Sequence, residues 1–280
     1  MPVTLFVENV TVVDYAYLRP DVRIAGDSLI LTIELRGELD HNGFIVDFGK
    51  LKPMVKQLVD GELDHRLLLP DRDRELIVEE IGGRVIVRYG NLTYEAPPSA
   101  IARLDAIAIT HDIISQRVEQ LVAPHLPPNV SALRCHFARD GRAEQQASFA
   151  YTHGLRHHDG NCQRLLHGHR GVFVVIWDGI RDPELESLLV RRFDGAHFAS
   201  GRDVSGDAVA YRAAQGDFTA LLPAGRIVPL PVEPTIENIA HFAFEELVRG
   251  QGLDARRLMV RAYEGPNKGA MFSLPSATAE

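Results

Sequence analysis

Apolar and polar positions alternate with period two over residues 3–13 (VTLFVENVTVV) and 28–36 (SLILTIELR). That alternation, rich in β-branched residues, predicts two paired antiparallel strands. The period then lengthens. Asp47 opens a helical turn, and Leu51, Val55, Leu58 and Val59 fall at i, i+4, i+7 and i+8, one face of a helix. Pro53 restricts the early part of that helix, because proline sits well only in a first turn. A second helix is predicted over about 109–122, with Ile113, Ile114, Val118, Leu121 and Val122 inward, followed by strands at about 130–138 and 144–152.

The same order then returns. GVFVVIW (171–177) reads as a strand, PELESLLVRRF (183–193) as a helix, and PTIENIAHFAFEELVRG (234–250) as the clearest helix of the chain. Thr235 is placed to cap its start, Ile236, Ile239, Ala243, Phe244 and Leu247 line one face, and Gly250 is placed to end it. RRLMVRAYE (256–264) reads as the last strand. Short identities fall in the same order in both halves: Glu119–Val122 matches Glu245–Val248, and Asp64–Pro70 matches Asp217–Pro223. Together they predict an α+β fold built by tandem duplication of a ββ-αα-ββ unit of ~120–140 residues. The expected halves are 1–142 and 143–280.

Composition narrows the class. With 45% apolar and 24% charged residues among 280, disorder and fibrous repeats are excluded. Apolar runs such as Val172–Trp177 fall far short of the ~20 residues a bilayer span needs. The opening MPVTLFVENV lacks a basic stretch followed by an apolar one, so no signal peptide is expected. Two cysteines, Cys135 and Cys162, make no disulfide framework, and a cytoplasmic location with reduced thiols is expected. A net charge of −8 argues against a nucleic-acid partner, which calls for a basic face.

The chemistry concentrates in the histidines. His153, His157, His158, His167 and His169 lie within seventeen residues. In a strand, positions i and i+2 share a face, so His167 and His169 can converge on one ion, with Gly168 leaving room between them. His153 joins them if its strand pairs with theirs. Three histidines and an open fourth position describe a catalytic zinc site. The bland alternative is a surface pair of histidines. His157 and His158 read as a solvated loop, although either could replace His153. Cys162, five positions before His167, is a candidate base or nucleophile, a zinc ligand or an inert thiol. Cys135, in a predicted strand beside Phe137, reads as core.

These motifs resemble the 6-pyruvoyl- and 6-carboxytetrahydropterin synthase family, with its tunnelling fold (T-fold). The residues that carry the resemblance are Phe149 to His153, Cys162, His167-Gly168-His169, the run Gly43–Lys52 with Asp47-Phe48, Leu63-Asp64-His65, Pro234-Thr235-Ile236-Glu237-Asn238 and Tyr263-Glu264. The resemblance implies an antiparallel sheet with paired helices on one face, and an oligomeric β-barrel. It implies Zn2+ on His153, His167 and His169, and 7,8-dihydroneopterin triphosphate as substrate. It also implies Cys162 as base, His65 with Asp64 as partner acid or base, and Glu264 gripping the N–H and NH2 edge of the pterin. Thr235 and Glu237 are implied as pocket residues, and Arg156, Arg164, Lys50 and Lys52 as candidates for the triphosphate. The presence of the cysteine leans toward the carboxy product and the queuosine pathway.

The motifs are divided between the halves. The first has Asp64-His65 but Gly26-Asp27-Ser28 near where the paired histidines belong. The second has the histidines, Cys162 and Glu264, with Phe218 at the place of His65; Ala138 takes the place of Glu264 in the first. Family sites are similar in lying between subunits, so a fused pair can lose one copy of each part and keep one working site. Unlike modules alternating round a barrel imply a homo-oligomer of even module number, two chains per ring being the smallest. Two rival readings stand beside this one: a zinc hydrolase of a small heterocycle, and a non-catalytic zinc- or pterin-binding protein.

Overall fold

A computed structural model describes residues 2–275. Its helices are α1 (Phe48–Glu62), α2 (His111–Val122), the short α3 (Gly141–Gln145), α4 (Pro183–Phe193) and α5 (Ile236–Gln251). The strands form three sheets. The first centres on a long antiparallel hairpin, Val12–Arg19 with Arg23–Gly37. Val3–Val7 and Val130–Ala138 also pair with Arg23–Gly37, and Leu67–Pro70 and Ile101–Leu104 add in parallel on the far side. The second sheet repeats this plan around the hairpin Ser148–His153 with His167–Trp177. Leu258–Tyr263 pairs with one strand of that hairpin, and Ala196–Ser200 and Ile227–Leu230 follow in parallel beyond the other.

Each helix pair covers one face of its sheet. Leu51, Val55 and Val59 of α1 and Ile114, Val118 and Val122 of α2 meet Leu29, Leu31 and Ile33 of the first sheet. Leu189 and Phe193 of α4 and Ile239, Ala243, Phe244 and Leu247 of α5 meet Phe149, Phe173 and Val175 of the second. Fully burying each such side chain favours folding by about 1.5–3 kcal/mol, which selects this face. Pro53 is accommodated inside α1, and α5 runs through Gly250 to Gln251. The stop there is Gly252, in the left-handed conformation at φ 62°. Residues 144–145, expected as strand, belong to α3, and the strand begins at Ser148.

The third sheet was not anticipated by the apolar pattern. It takes Leu76–Ile81, Arg84–Tyr89 and Leu92–Ala96 from the first half and Val204–Ser205, Ala208–Ala213 and Gly216–Leu221 from the second. The halves join where Thr93–Glu95 pairs with Thr219–Leu221. Its signals lie in the sequence: Gly82-Gly83 and Gly90-Asn91 separate short alternating runs, as hairpin turns do.

Strand register gives the internal correspondence directly. Ala16 pairs with Gly26 and Leu67 as Thr152 pairs with Gly168 and His197. Leu31 pairs with Phe137 as Phe173 pairs with Ala262. Four expected matches therefore shift. The counterpart of His167-Gly168-His169 is Ala25-Gly26-Asp27, and that of Glu264 is Arg139 rather than Ala138. The counterpart of His65 is Gly195, because Asp217–Pro223 belongs to the third sheet and not to the second. The capping threonines, Thr110 and Thr235, align α2 with α5 one residue away from the match of Glu119 with Glu245. Short local identities misled, by one position at the histidines, at Glu264 and in the helices, and by a whole sheet at His65; hydrogen-bond pairing does not.

Candidate metal centre between the two halves

The second hairpin sets the three imidazoles. His153 and His167 are direct cross-strand partners, and His169 follows two residues on, on the same face. The rings are fully buried, with centroids 4.4, 5.0 and 5.2 Å apart. One nitrogen of each lies within 4.8 Å of the others. His153 Nδ1 is 2.8 Å from Pro234 O, and His167 Nδ1 is 2.7 Å from Arg164 O. A carbonyl only accepts, so each Nδ1 carries the proton and each Nε2 keeps its lone pair. The Nε2 atoms of His153, His167 and His169 are buried without a hydrogen-bond partner. Burial holds His153 neutral, its pKa lowered to about 3, and likewise pushes His167 well below the ordinary histidine value. Three unpartnered, convergent nitrogens on fully buried rings fit a zinc ion.

The first half brings the facing groups. His65 adopts φ 55°, and its N–H donates to Asp14 O at 2.6 Å. Asp64 Oδ1 accepts the Asp14 N–H at 2.9 Å, while Asp64 Oδ2 accepts from His65 Nδ1 at 2.5 Å. Asp64 thus serves both the fold and the imidazole. The fold role repeats in the other half, where Asp194 accepts the Ala150 N–H at 2.8 Å and the Gly195 N–H meets Ala150 O at 2.7 Å. The His65 ring lies 5.0 Å from that of His167. Cys162, half-buried in the loop between the hairpin strands, groups with His65 and His167 within 4.8 Å. Burial disfavours the charged form of His65, but Asp64 and Cys162 outweigh it, and its pKa is pushed up to about 10.

Glu264 stands at the rim of the triad. Its Oε1 lies 3.8 Å from His153 Nε2 and 3.9 Å from His169 Nε2, and its Oε2 is 3.5 Å from Lys268 Nζ. Burial opposes its charge, but His169, His153 and Lys268 hold it below the usual carboxylate range. Thr235 caps α5, its hydroxyl oxygen accepting from Asn238 N at 3.4 Å, and the preceding Pro234 carbonyl is the one that fixes His153. Glu237 is exposed in the first turn of α5.

Of the basic candidates, Arg164 is committed to the fold: it donates to Asp64 O at 3.2 Å and His65 O at 3.4 Å, clamping the two halves. Arg156 pairs with Asp203. Lys50 and Lys52 are exposed on α1, Lys50 beside an open cleft of about 560 Å³ lined by Phe44, Met54 and His125 and not by the histidines. His157 is exposed and meets Glu233; His158 lies in the same loop. Cys135 is buried in its strand.

Sequence reasoning missed Asp14, Ser28 and Lys268. Asp14 is buried, accepts from Ser28 Oγ at 2.5 Å and from Lys268 Nζ at 2.9 Å, and lies 3.2 Å from His169 Nδ1. Its signal was an acid set within the apolar run VVDYAY, where an unpaired charge would be costly.

At the equivalent place in the first half no metal set survives. Asp27 stands for His169 and Arg139 for Glu264. Arg139 holds Asp27 through Nε at 3.1 Å and an η nitrogen at 2.7 Å, and Arg170 adds an Nε contact at 2.9 Å.

The sequence profile described as 6-pyruvoyl tetrahydropterin synthase matches this chain twice, over residues 13–124 and 142–274. A Pyrococcus horikoshii protein to which 6-carboxy-5,6,7,8-tetrahydropterin synthase activity is provisionally ascribed is 26% identical over 127 residues, 45% of this chain and 75% of that protein. A Pyrococcus abyssi protein of the same description is 22% identical over 121 residues, 43% of this chain and 71% of its own length. Among solved structures, 6-pyruvoyl tetrahydropterin synthase of Plasmodium falciparum aligns with TM-score 0.43 at 18% identity, over 49% of this chain and 91% of that one. The Plasmodium vivax protein aligns with TM-score 0.44 at 19% identity, over 51% and 94%.

Proposed function

The chain belongs to the 6-pyruvoyl tetrahydropterin synthase family, and from that premise we propose that it is a zinc-dependent 6-carboxy-5,6,7,8-tetrahydropterin synthase. Its substrates would be 7,8-dihydroneopterin triphosphate and one water, whose oxygen completes the 6-carboxylate, and acetaldehyde and triphosphate would leave, a carbon–carbon lyase step in queuosine (7-deazapurine) formation. The provisional descriptions of the Pyrococcus relatives support the carboxy product. The observation that carries the reading is the convergence of three unpartnered Nε2 atoms with Cys162 and a charged His65–Asp64 pair from the opposite half.

His153, His167 and His169 would hold the ion through Nε2, leaving one position for substrate. The bound zinc would supply Lewis acidity to the side-chain hydroxyls. Cys162 would take the proton released there, being the nearest thiol to that position. His65 is protonated at neutral pH in the metal-free chain and would donate a proton, with Asp64 fixing the ring. Burial of the three imidazoles shields the ligand side of the site from bulk water.

Glu264 would accept the two donors of the pterin edge. Where it stands it faces the imidazoles, so gripping the ring would require it to turn outward from Lys268. Thr235 and Glu237 would line the entrance at the start of α5. We place the module boundary at 142/143, so that each module brings half of one site, and expect a homo-oligomer.

The test is a zinc-replete assay with 7,8-dihydroneopterin triphosphate. Acetaldehyde and triphosphate in equal amounts are expected. Triphosphate without acetaldehyde would assign the 6-pyruvoyl product instead. Neither product would overturn the reading and favour a hydrolase of another heterocycle or a non-catalytic pterin-binding protein.

A further inference from the structure

Two of the three imidazoles at the centre are oriented by main-chain carbonyls: His153 by Pro234 O at 2.8 Å and His167 by Arg164 O at 2.7 Å. His169 has no such carbonyl. The group beside its Nδ1 is the carboxylate of Asp14, at 3.2 Å and without a formed hydrogen bond. We propose that Asp14 is a positioning residue of the metal centre, lent by the half of the chain that carries none of the histidine ligands, and that it fixes the tautomer and raises the donor strength of His169. The inference rests on the zinc assignment above and names a residue that assignment does not contain.

Asp14 is built into its place. Ser28 Oγ donates to Oδ1 at 2.5 Å, and Lys268 Nζ donates to Oδ2 at 2.9 Å. The turn that carries Lys268 closes directly over it, since a Cβ on Gly265 would fall 2.7 Å from Ser28 Oγ and 3.0 Å from Asp14 Oδ1. A lysine neutralises the carboxylate's charge, so a buried acid can stay ionised beside an imidazole. An ionised carboxylate on the far nitrogen of a ligating histidine orients the ring and makes it a stronger donor.

Internal symmetry argues against a leftover contact. Register makes Ala150 the counterpart of Asp14 and Asp27 the counterpart of His169. Ala150 offers no side-chain acceptor, and Asp27 is engaged by Arg139 and Arg170. The carboxylate is therefore present only on the side where a histidine faces it. Its main chain adds a second link, because its N–H and C=O hold Asp64 and His65. A side-chain substitution leaves those two bonds in place, so the metal role can be separated from the His65 role.

The experiment measures zinc affinity of the purified full chain by competition with a chromophoric chelator, without substrate. Asp14→Asn should weaken zinc binding roughly 10–100-fold. Ser28→Ala, which keeps the carboxylate but frees it, should weaken it less. The visible ligand-field bands of the cobalt(II)-substituted protein should shift in Asp14→Asn, a change that a merely structural role would not produce. Unchanged zinc affinity and an unchanged cobalt spectrum in Asp14→Asn would overturn the proposal while leaving the zinc centre intact. A wild-type chain that binds no zinc would overturn both. Should Asp14→Asn fail to fold, Ser28→Ala decides: wild-type affinity and spectrum would count against the proposal.

Discussion

Gly26 and Gly168 lie back to back where the two hairpins cross. A Cβ on Gly168 would stand 2.5 Å from Gly26 Cα, and one on Gly26 would stand 2.5 Å from His169 N. Register makes these glycines counterparts, so the two hairpins meet through matching residues. Only a residue without Cβ lets the backbones meet there. That approach brings Asp14, Asp64 and His65 against the histidines.

Gly26→Ala should accordingly cost more than about 3 kcal/mol, above ordinary overpacking because backbone must move, and should lower bound zinc. Gly250→Ala is the control. Gly250 sits inside α5 with open space around its Cα, and the change should stabilise by up to ~1 kcal/mol. Urea unfolding of both variants, with zinc content by mass spectrometry, checks the pair.

His65 supplies a pH signature in the metal-free protein. Its folded pKa of about 10 lies above the ordinary histidine value of 6.5. The stabilisation it gives is therefore full below pH ~6.5 and is lost as pH rises through ~10. Asp64→Asn should bring the midpoint down toward neutrality. Imidazole NMR shifts followed against pH read this directly, and an unmoved midpoint would remove Asp64 as its partner.

Asp27 should govern the acid limb. Burial opposes its charge, but His111, Arg139 and Arg170 hold its pKa well below the ordinary 3.8. Its contribution is present above pH ~4 and is lost as pH falls through the depressed folded value. Asp27→Asn should cost about 3–5 kcal/mol at pH 7, because two guanidiniums lose their buried partner. The penalty should shrink on acidification below pH 4. Denaturant midpoints measured from pH 7 to pH 2 test both the sign and the window.

Glu264→Gln separates two roles. An anchor for the pterin edge predicts a KM raised at least tenfold with zinc affinity unchanged. A carboxylate acting as fourth ligand, the position its Oε1 now faces, predicts weaker zinc instead. Steady-state kinetics with parallel zinc titration distinguishes them. His167→Ala should abolish stoichiometric zinc, and retention of the ion would remove that ligand.

Much of the candidate site was legible in the chain because its parts are local. His-x-His on a strand shares a face wherever the strand lies, and His153 needed only a hairpin partner. Asp64 and His65 are neighbours in sequence. Asp14 and Lys268 were not legible, because 254 residues separate the two ends of that ion pair. Register, too, was beyond the sequence: local identities pointed to Phe218 and Ala138 where pairing puts Gly195 and Arg139.

By itself, then, the sequence determined the periodic elements, the duplicated order, the family and the residue types able to hold a metal. These follow from side-chain spacing of 2 or 3.6 residues and from motifs a few positions long. Only the tertiary structure decided that the halves share a third sheet, that two glycines let the hairpins cross, and that Asp14 of one half lies beside His169 of the other. Those outcomes depend on packing and pairing between distant segments; at the hairpin crossing, a Cβ more or less sets which side chains meet.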